Sequence, residues 1–144
     1  MRRSVLVALA AAVVVVLLGV GFMIALQGPS QARDEFGSDL TYRDPARTEP
    51  IAARLTYRQS GERTEEFRLV SRDESVPVQW SVSEGGSGGE AELWQGARLV
   101  QRQTLSATGC ATWSVDEGSE YVLRVTVASG AGTIELAWQE AARC

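Results

Sequence analysis

Histidine, lysine and asparagine are all absent from this 144-residue sequence, so its fourteen basic side chains are all arginine. Without histidine, the usual neutral-pH general base and the commonest metal ligand are missing. Without lysine there is no Schiff-base amine and no phosphate-loop lysine. Without asparagine there is no N-linked glycosylation acceptor. Clustered positive charge is also lacking. All eighteen acidic residues follow position 33, against twelve arginines from Arg33 onward, a net charge of −6 for that part. Phosphate binding needs a basic stripe, so nucleic acid is excluded as a partner. The pairs Glu65/Glu66 and Asp73/Glu74 are adjacent in sequence, and adjacent residues of a strand point to opposite faces. The chain is therefore expected to be no enzyme, with no catalytic residue and no obligatory cofactor.

The one long uncharged run is Val5–Leu26, twenty-two residues. As a helix it would be about 33 Å long, enough to cross a hydrocarbon core of about 30 Å. Residues 1–4 form a short basic start. Arg2 and Arg3 abut the run, and the next arginine on the other side is Arg33. That asymmetry favours an N-terminus in the cytoplasm. The run exceeds the apolar core of a cleaved signal peptide, and no cysteine follows it for lipid attachment. The expectation is a single-pass anchor in the cytoplasmic membrane at residues 5–26, with the rest extracytoplasmic. The alternative is a secreted protein released by cleavage after Ala32, where Ser30-Gln31-Ala32 offers a small-x-small site.

Residues 27–50 carry Pro29, Pro45 and Pro50 and charges that alternate in sign. This is the composition of a solvated spacer; the alternative is that Leu40-Thr41-Tyr42 docks as an extra edge strand. From Ile51 to the end the apolar period is two. Ile51, Ala53, Leu55 and Tyr57 alternate with polar neighbours, and so do Val76, Val78, Trp80 and Val82. Tyr121, Leu123, Val125 and Val127 repeat the pattern, as do Ile134, Leu136 and Trp138. Each run is bounded by Gly, Ser or Asp turns, which is the signature of half-buried strands. About eight such runs predict an all-β domain over residues 51–144, a small antiparallel β-sandwich or jelly roll, preceded by one N-terminal transmembrane helix.

Glu117–Val127, Ser129–Gly132 and Thr133–Trp138 together resemble the closing hairpin of bacterial pre-peptidase C-terminal-type domains. The Gly-rich loop before Glu90-Ala-Glu-Leu-Trp94 is similar to the family's loop ahead of an acidic "DADLY"-like strand. The resemblance covers residues 76–138, with Glu90 and Glu92 standing where the family tends to have Asp. It implies an extracytoplasmic jelly-roll module with an accessory or substrate-contact role.

Cys110 and Cys144 are the only two cysteines. An even pair in an exported domain reads as one intradomain disulfide, with pairing between molecules through the terminal Cys144 as the alternative. Of four tryptophans, Trp80, Trp113 and Trp138 fall in phase with apolar neighbours and are assigned to the core. Trp94 is out of phase with Ala91 and Leu93 and precedes the Gln95-Gly96 turn. With Glu90 and Glu92 it forms the candidate ligand or partner contact, for a glycan or an envelope protein. Asp116, Glu117 and Glu120 are the weak calcium candidates, being oxygen donors in one turn without a D-x-D-x-D-G loop. The expected function is that of a binding, adhesion or accessory subunit of a cell-envelope complex. The alternative function is a secreted carbohydrate- or calcium-binding module.

Overall fold

The computed structural model describes residues 33–144. The predicted span Val5–Leu26 and the cleavage site at Ala32 lie outside them. Among the described residues, no helix is long and apolar enough to cross a membrane. The folded unit begins at Asp34. Its strands are β1 (Glu35–Tyr42), β2 (Pro50–Gln59), β3 (Arg63–Val70), β4 (Ser75–Val82), β5 (Gly89–Gln95), β6 (Arg98–Leu105), β7 (Thr108–Ser114), β8 (Glu120–Val127) and β9 (Gly130–Trp138), followed by a 3-10 turn at Gln139–Ala141.

Nine strands form two antiparallel sheets, a five-stranded sheet in the order β1-β2-β9-β4-β7 and a four-stranded sheet in the order β3-β8-β5-β6. Only the β1–β2 and β5–β6 connections stay within a sheet. Every other connection crosses to the opposite layer, so β2–β9 is wound as a jelly roll. Two expectations are corrected here. Residues 117–138 do not close as a hairpin: β8 pairs with β3 and β5, whereas β9 pairs with β2 and β4. Period-two patterning shows that a segment is a strand with one buried face, but not which strand it pairs with. The spacer expected over residues 27–50 ends early; the alternative of an extra edge strand at Leu40-Thr41-Tyr42 is the one observed, and that strand extends back to Glu35 on β2. Phe36 and Leu40 pack against the core, Arg63 lies 4.2 Å above the Phe36 ring, and Asp34 accepts the Ser60 amide at 3.1 Å.

The alternating residues fill the space between the layers. On β8, Tyr121, Leu123, Val125 and Val127 are buried, and on β9, Ile134, Leu136 and Trp138. Each such side chain stabilises the fold by about 1.5–3 kcal/mol. Phe67 of one sheet meets Trp138 of the other at 5.4 Å between centroids. Trp80, Trp113 and Trp138 are buried as expected. Pro77 lies within β4 ahead of its β9 ladder, which starts at Val78, so its missing N–H interrupts no bond to β9.

The Gly-rich loop before Glu90 is tied down. The Gly88 amide donates to the Tyr57 hydroxyl at 3.0 Å, and the Gly88 carbonyl accepts from Ala128 at 3.0 Å. Gly88 has φ +70°, and a Cβ there would lie 2.3 Å from the Leu105 carbonyl oxygen. Both facts require glycine.

Cys110 and Cys144 are bonded to each other, with 5.9 Å between their Cα atoms. This is the intradomain pairing expected from their number. The bond ties the C-terminus to edge strand β7, and the Arg143 amide donates to Gln79 Oε1 at 2.9 Å beside it.

Candidate ligand-binding face of the four-stranded sheet

Register places the outward side chains of the four-stranded sheet in rows that run across the strands. Arg68 opposes Val122, Val122 opposes Trp94, and Trp94 opposes Leu99. One step along the strands, Glu66 opposes Arg124, Arg124 opposes Glu92, and Glu92 opposes Arg102. The first row is mainly apolar, and the second alternates in charge.

A bulge shapes the apolar row. The β5–β6 register shifts between Leu93 and Trp94, so that Leu99 faces Trp94 and Val100 becomes the extra residue. Bulges re-aim side chains in this way. Leu99 is left 37% exposed and Val70, beside the row on β3, 39%. These are the large hydrophobic side chains that the described residues expose, and both lie on this face.

The charged row is satisfied internally. Arg102 donates to Glu92 from Nε at 2.9 Å and also reaches Glu90 at 3.3 Å. Arg124 pairs with Glu66 at 2.8 Å. Glu92 is 9% exposed, because Trp94, Arg102 and Arg124 cover it. The Trp94 indole N–H donates to Glu92 Oε2 at 2.9 Å. That bond first, and then Arg102, hold the Glu92 carboxyl below the ordinary glutamate range, against the opposing effect of burial. The Arg102 guanidinium is raised in return. Arg124 stacks over one face of the indole, 4.9 Å from its centroid. Trp94 is thus half-buried and held at two points, not freely projecting.

The rest of the indole lines a groove of about 540 Å³ that crosses β3, β8 and β5. Val70, Val122 and Trp94 supply its apolar surface; Arg68, Glu120, Thr48 and Glu49 stand around it. Glu49 is committed elsewhere: it accepts from Arg43 Nη1 at 2.7 Å and from the Val70 amide at 3.4 Å. Arg43 also binds Glu140 and the Gln139 side-chain oxygen. The Gln139 amide in turn donates to the Val70 carbonyl at 2.6 Å. The groove wall is therefore linked to the C-terminal turn. The bond from Arg43 is the main cause that holds the Glu140 carboxyl low.

Of the residues singled out in the sequence, Glu90, Glu92 and Trp94 meet on this face. Glu120 lines the groove from the start of β8. Asp116 and Glu117 lie apart from it in a turn that is closed by backbone contacts. The Asp116 amide donates to the Tyr121 hydroxyl at 2.8 Å, and the Gly118 amide donates to the Ser71 carbonyl at 2.9 Å. Among the described residues no group of three or more acidic or sulfur side chains could hold a metal ion. Arg68, Arg102, Arg124, Val70 and Val122 were not singled out. Their only signal was shared parity with the outward residues of their own strands.

No protein-family model matches the chain, and no curated protein matches it. Solved structures do. The chain is similar to the pre-peptidase C-terminal domain of a collagenase from Bacillus anthracis, with 16% identity over 61% of this chain and 87% of that one, at a TM-score of 0.47. It is similar to a carbohydrate-binding module of a Cellvibrio mixtus lichenase in complex with cellotriose, with 15% identity over 74% and 89% of the two chains and a TM-score of 0.38. A third is the C-terminal carbohydrate-binding module of a marine laminarinase from Zobellia galactanivorans, with 10% identity over 75% and 93% and a TM-score of 0.42. The first of these is a domain of the kind that residues 76–138 resemble.

Proposed function

We propose that this chain is a non-catalytic, extracytoplasmic binding module, held at the cytoplasmic membrane by Val5–Leu26, and that the outer face of its four-stranded sheet is the ligand site. The observation that carries this is the position of Trp94. An aromatic ring on a solvent-facing row lines a groove and is immobilised by Glu92 and Arg124. Holding a large apolar side chain in one conformation before the ligand arrives lowers the entropy cost of binding. Non-catalysis is supported by the same row, whose carboxylates Glu66 and Glu92 are engaged by arginines. An extracytoplasmic address is supported by the disulfide, which persists in oxidising compartments. An accessory role in an envelope complex fits a membrane-held module of this kind.

The test is retention of the full chain and of Trp94→Ala on arrays of envelope glycans and of short peptides. The wild-type chain should be retained by one class. The variant should lose at least about ten-fold in affinity, the range of an aromatic hot spot, with an unchanged far-ultraviolet spectrum. Equal retention of the two proteins would remove the site.

One observation favours a second reading, release after Ala32. The folded unit starts at Asp34, so cleavage there would leave the whole domain intact. The intact mass of the mature protein separates the two. A first residue of Arg33 identifies the secreted form, and a retained Val5–Leu26 identifies the anchored one.

A further inference from the structure

We infer that the occupant of the Trp94 groove is an uncharged, extended glycan that lies across the strands, with about one pyranose ring per strand. This rests on the binding-face reading above and adds the ligand's class, direction and length.

Charge decides against an ionic ligand. The row behind the groove alternates Glu66, Arg124, Glu92 and Arg102 and is paired within itself, so it presents no net charge. At the groove, Arg68 and Glu120 are of opposite sign and enter none of these ion pairs. An anionic chain would meet Glu120 and a cationic one Arg68. A neutral ligand with hydroxyl groups can accept from the guanidinium and donate to the carboxylate at once.

Geometry sets the direction. Arg68, Val122 and Trp94 lie on three neighbouring strands in one register row. Adjacent strands are about 4.8 Å apart, roughly the rise of one pyranose in an extended chain. The groove takes its lining from all three of these strands, at Arg68–Val70, Glu120–Val122 and Trp94. A pyranose with equatorial hydroxyls has a flat C–H face for an indole or a valine and a polar rim for Arg68 and Glu120. An added peptide strand would instead run along the free edge of β3, whereas Val122 and Trp94 lie inward of that edge, on β8 and β5.

The test is calorimetric titration of the full chain, in a detergent without a sugar headgroup. The probes are neutral β-linked gluco-oligosaccharides of one to five units and glucuronate-containing counterparts of the same lengths. Affinity should rise with each unit up to about three and then level off. The charged series should bind at least about ten-fold more weakly. Arg68→Ala should weaken the trisaccharide several-fold and leave the monosaccharide unaffected. No binding of the neutral series, equal binding of the charged one, or affinity independent of length overturns the proposal. Failure of the glycans while the array peptides still require Trp94 would reject the occupant and keep the binding face. Insensitivity of every probe to Trp94→Ala would reject both.

Discussion

Glu92 shows how one residue sets the geometry of the candidate site. It sits in the middle of a strand and accepts hydrogen bonds from an indole and a guanidinium, and its carboxyl is held low by those donors. Its folded-state pKa lies below the unfolded value, so the unfolded chain binds more protons as the pH drops. Its contribution to stability is present above the ordinary glutamate range of about 4.3 and is lost as pH falls through the lower folded value. Trp94 should therefore keep its near-ultraviolet circular dichroism signal at pH 5 and lose it under more acid conditions. Glu92→Gln should flatten that acid transition. The Trp94 position was legible, because parity along β5 distinguishes it from Ala91 and Leu93. Its partners were not. Arg102 and Arg124 are ten and thirty-two residues away from Glu92 in sequence, and only ladder register brings them opposite it.

At the scale of elements, the strands were visible where both faces have a clear identity and obscure where they do not. After an exposed Glu120, β8 alternates buried and half-buried residues to its end, which the sequence pattern displays directly. β1 buries little, with only Phe36, Leu40 and Tyr42 even partly covered. An edge strand can be held by one ladder and a few contacts, so its composition stays that of a spacer. Gly109 on β7 tests a packing that no pattern announces: a Cβ there would lie 2.2 Å from the Trp80 ring. Gly109→Ala should force the indole or the strand aside and lower stability by about 1–3 kcal/mol, the range for overpacked cores, read as a reduced denaturation midpoint. An unchanged midpoint would mean that β7 moves away without cost.

For the whole molecule, closure depends on the C-terminus. The Cys110–Cys144 bond closes a loop across a sequence separation of 34, worth about 3–4 kcal/mol by loss of unfolded-state entropy. That is a large share of the stability of so small a domain. Cys110→Ser should lower the chemical denaturation midpoint accordingly, and reductant should reproduce the shift in the wild-type chain only. The clasp of Arg43 on Glu49, Gln139 and Glu140 ties the β1–β2 connection to the same end. Arg43→Ala should cost about 2 kcal/mol, because charged partners lose hydrogen bonds in a part-buried setting. It should also weaken ligand binding through Glu49 and Val70 at the groove, an effect that Cys110→Ser should not reproduce in the folded state.

What the sequence determined by itself follows from local chemistry. The period-two alternation pointed to a β-sandwich, the cysteine count pointed to one disulfide that the structure places within the domain, and parity turned Trp94 outward. The length of Val5–Leu26 and the missing histidine and lysine set the expectation of a membrane-held, non-catalytic protein. Tertiary structure alone decided that β1 belongs to the domain and that β8 and β9 lie in different sheets. It also decided that Glu66, Arg124, Glu92 and Arg102 form one row beside an apolar one. The physical reason is that alternation specifies which face of a strand is buried, whereas neighbours are chosen by long-range ladder registry and by how two sheets pack. The proposed binding face is a product of that registry, since its residues come from strands that are scattered along the chain.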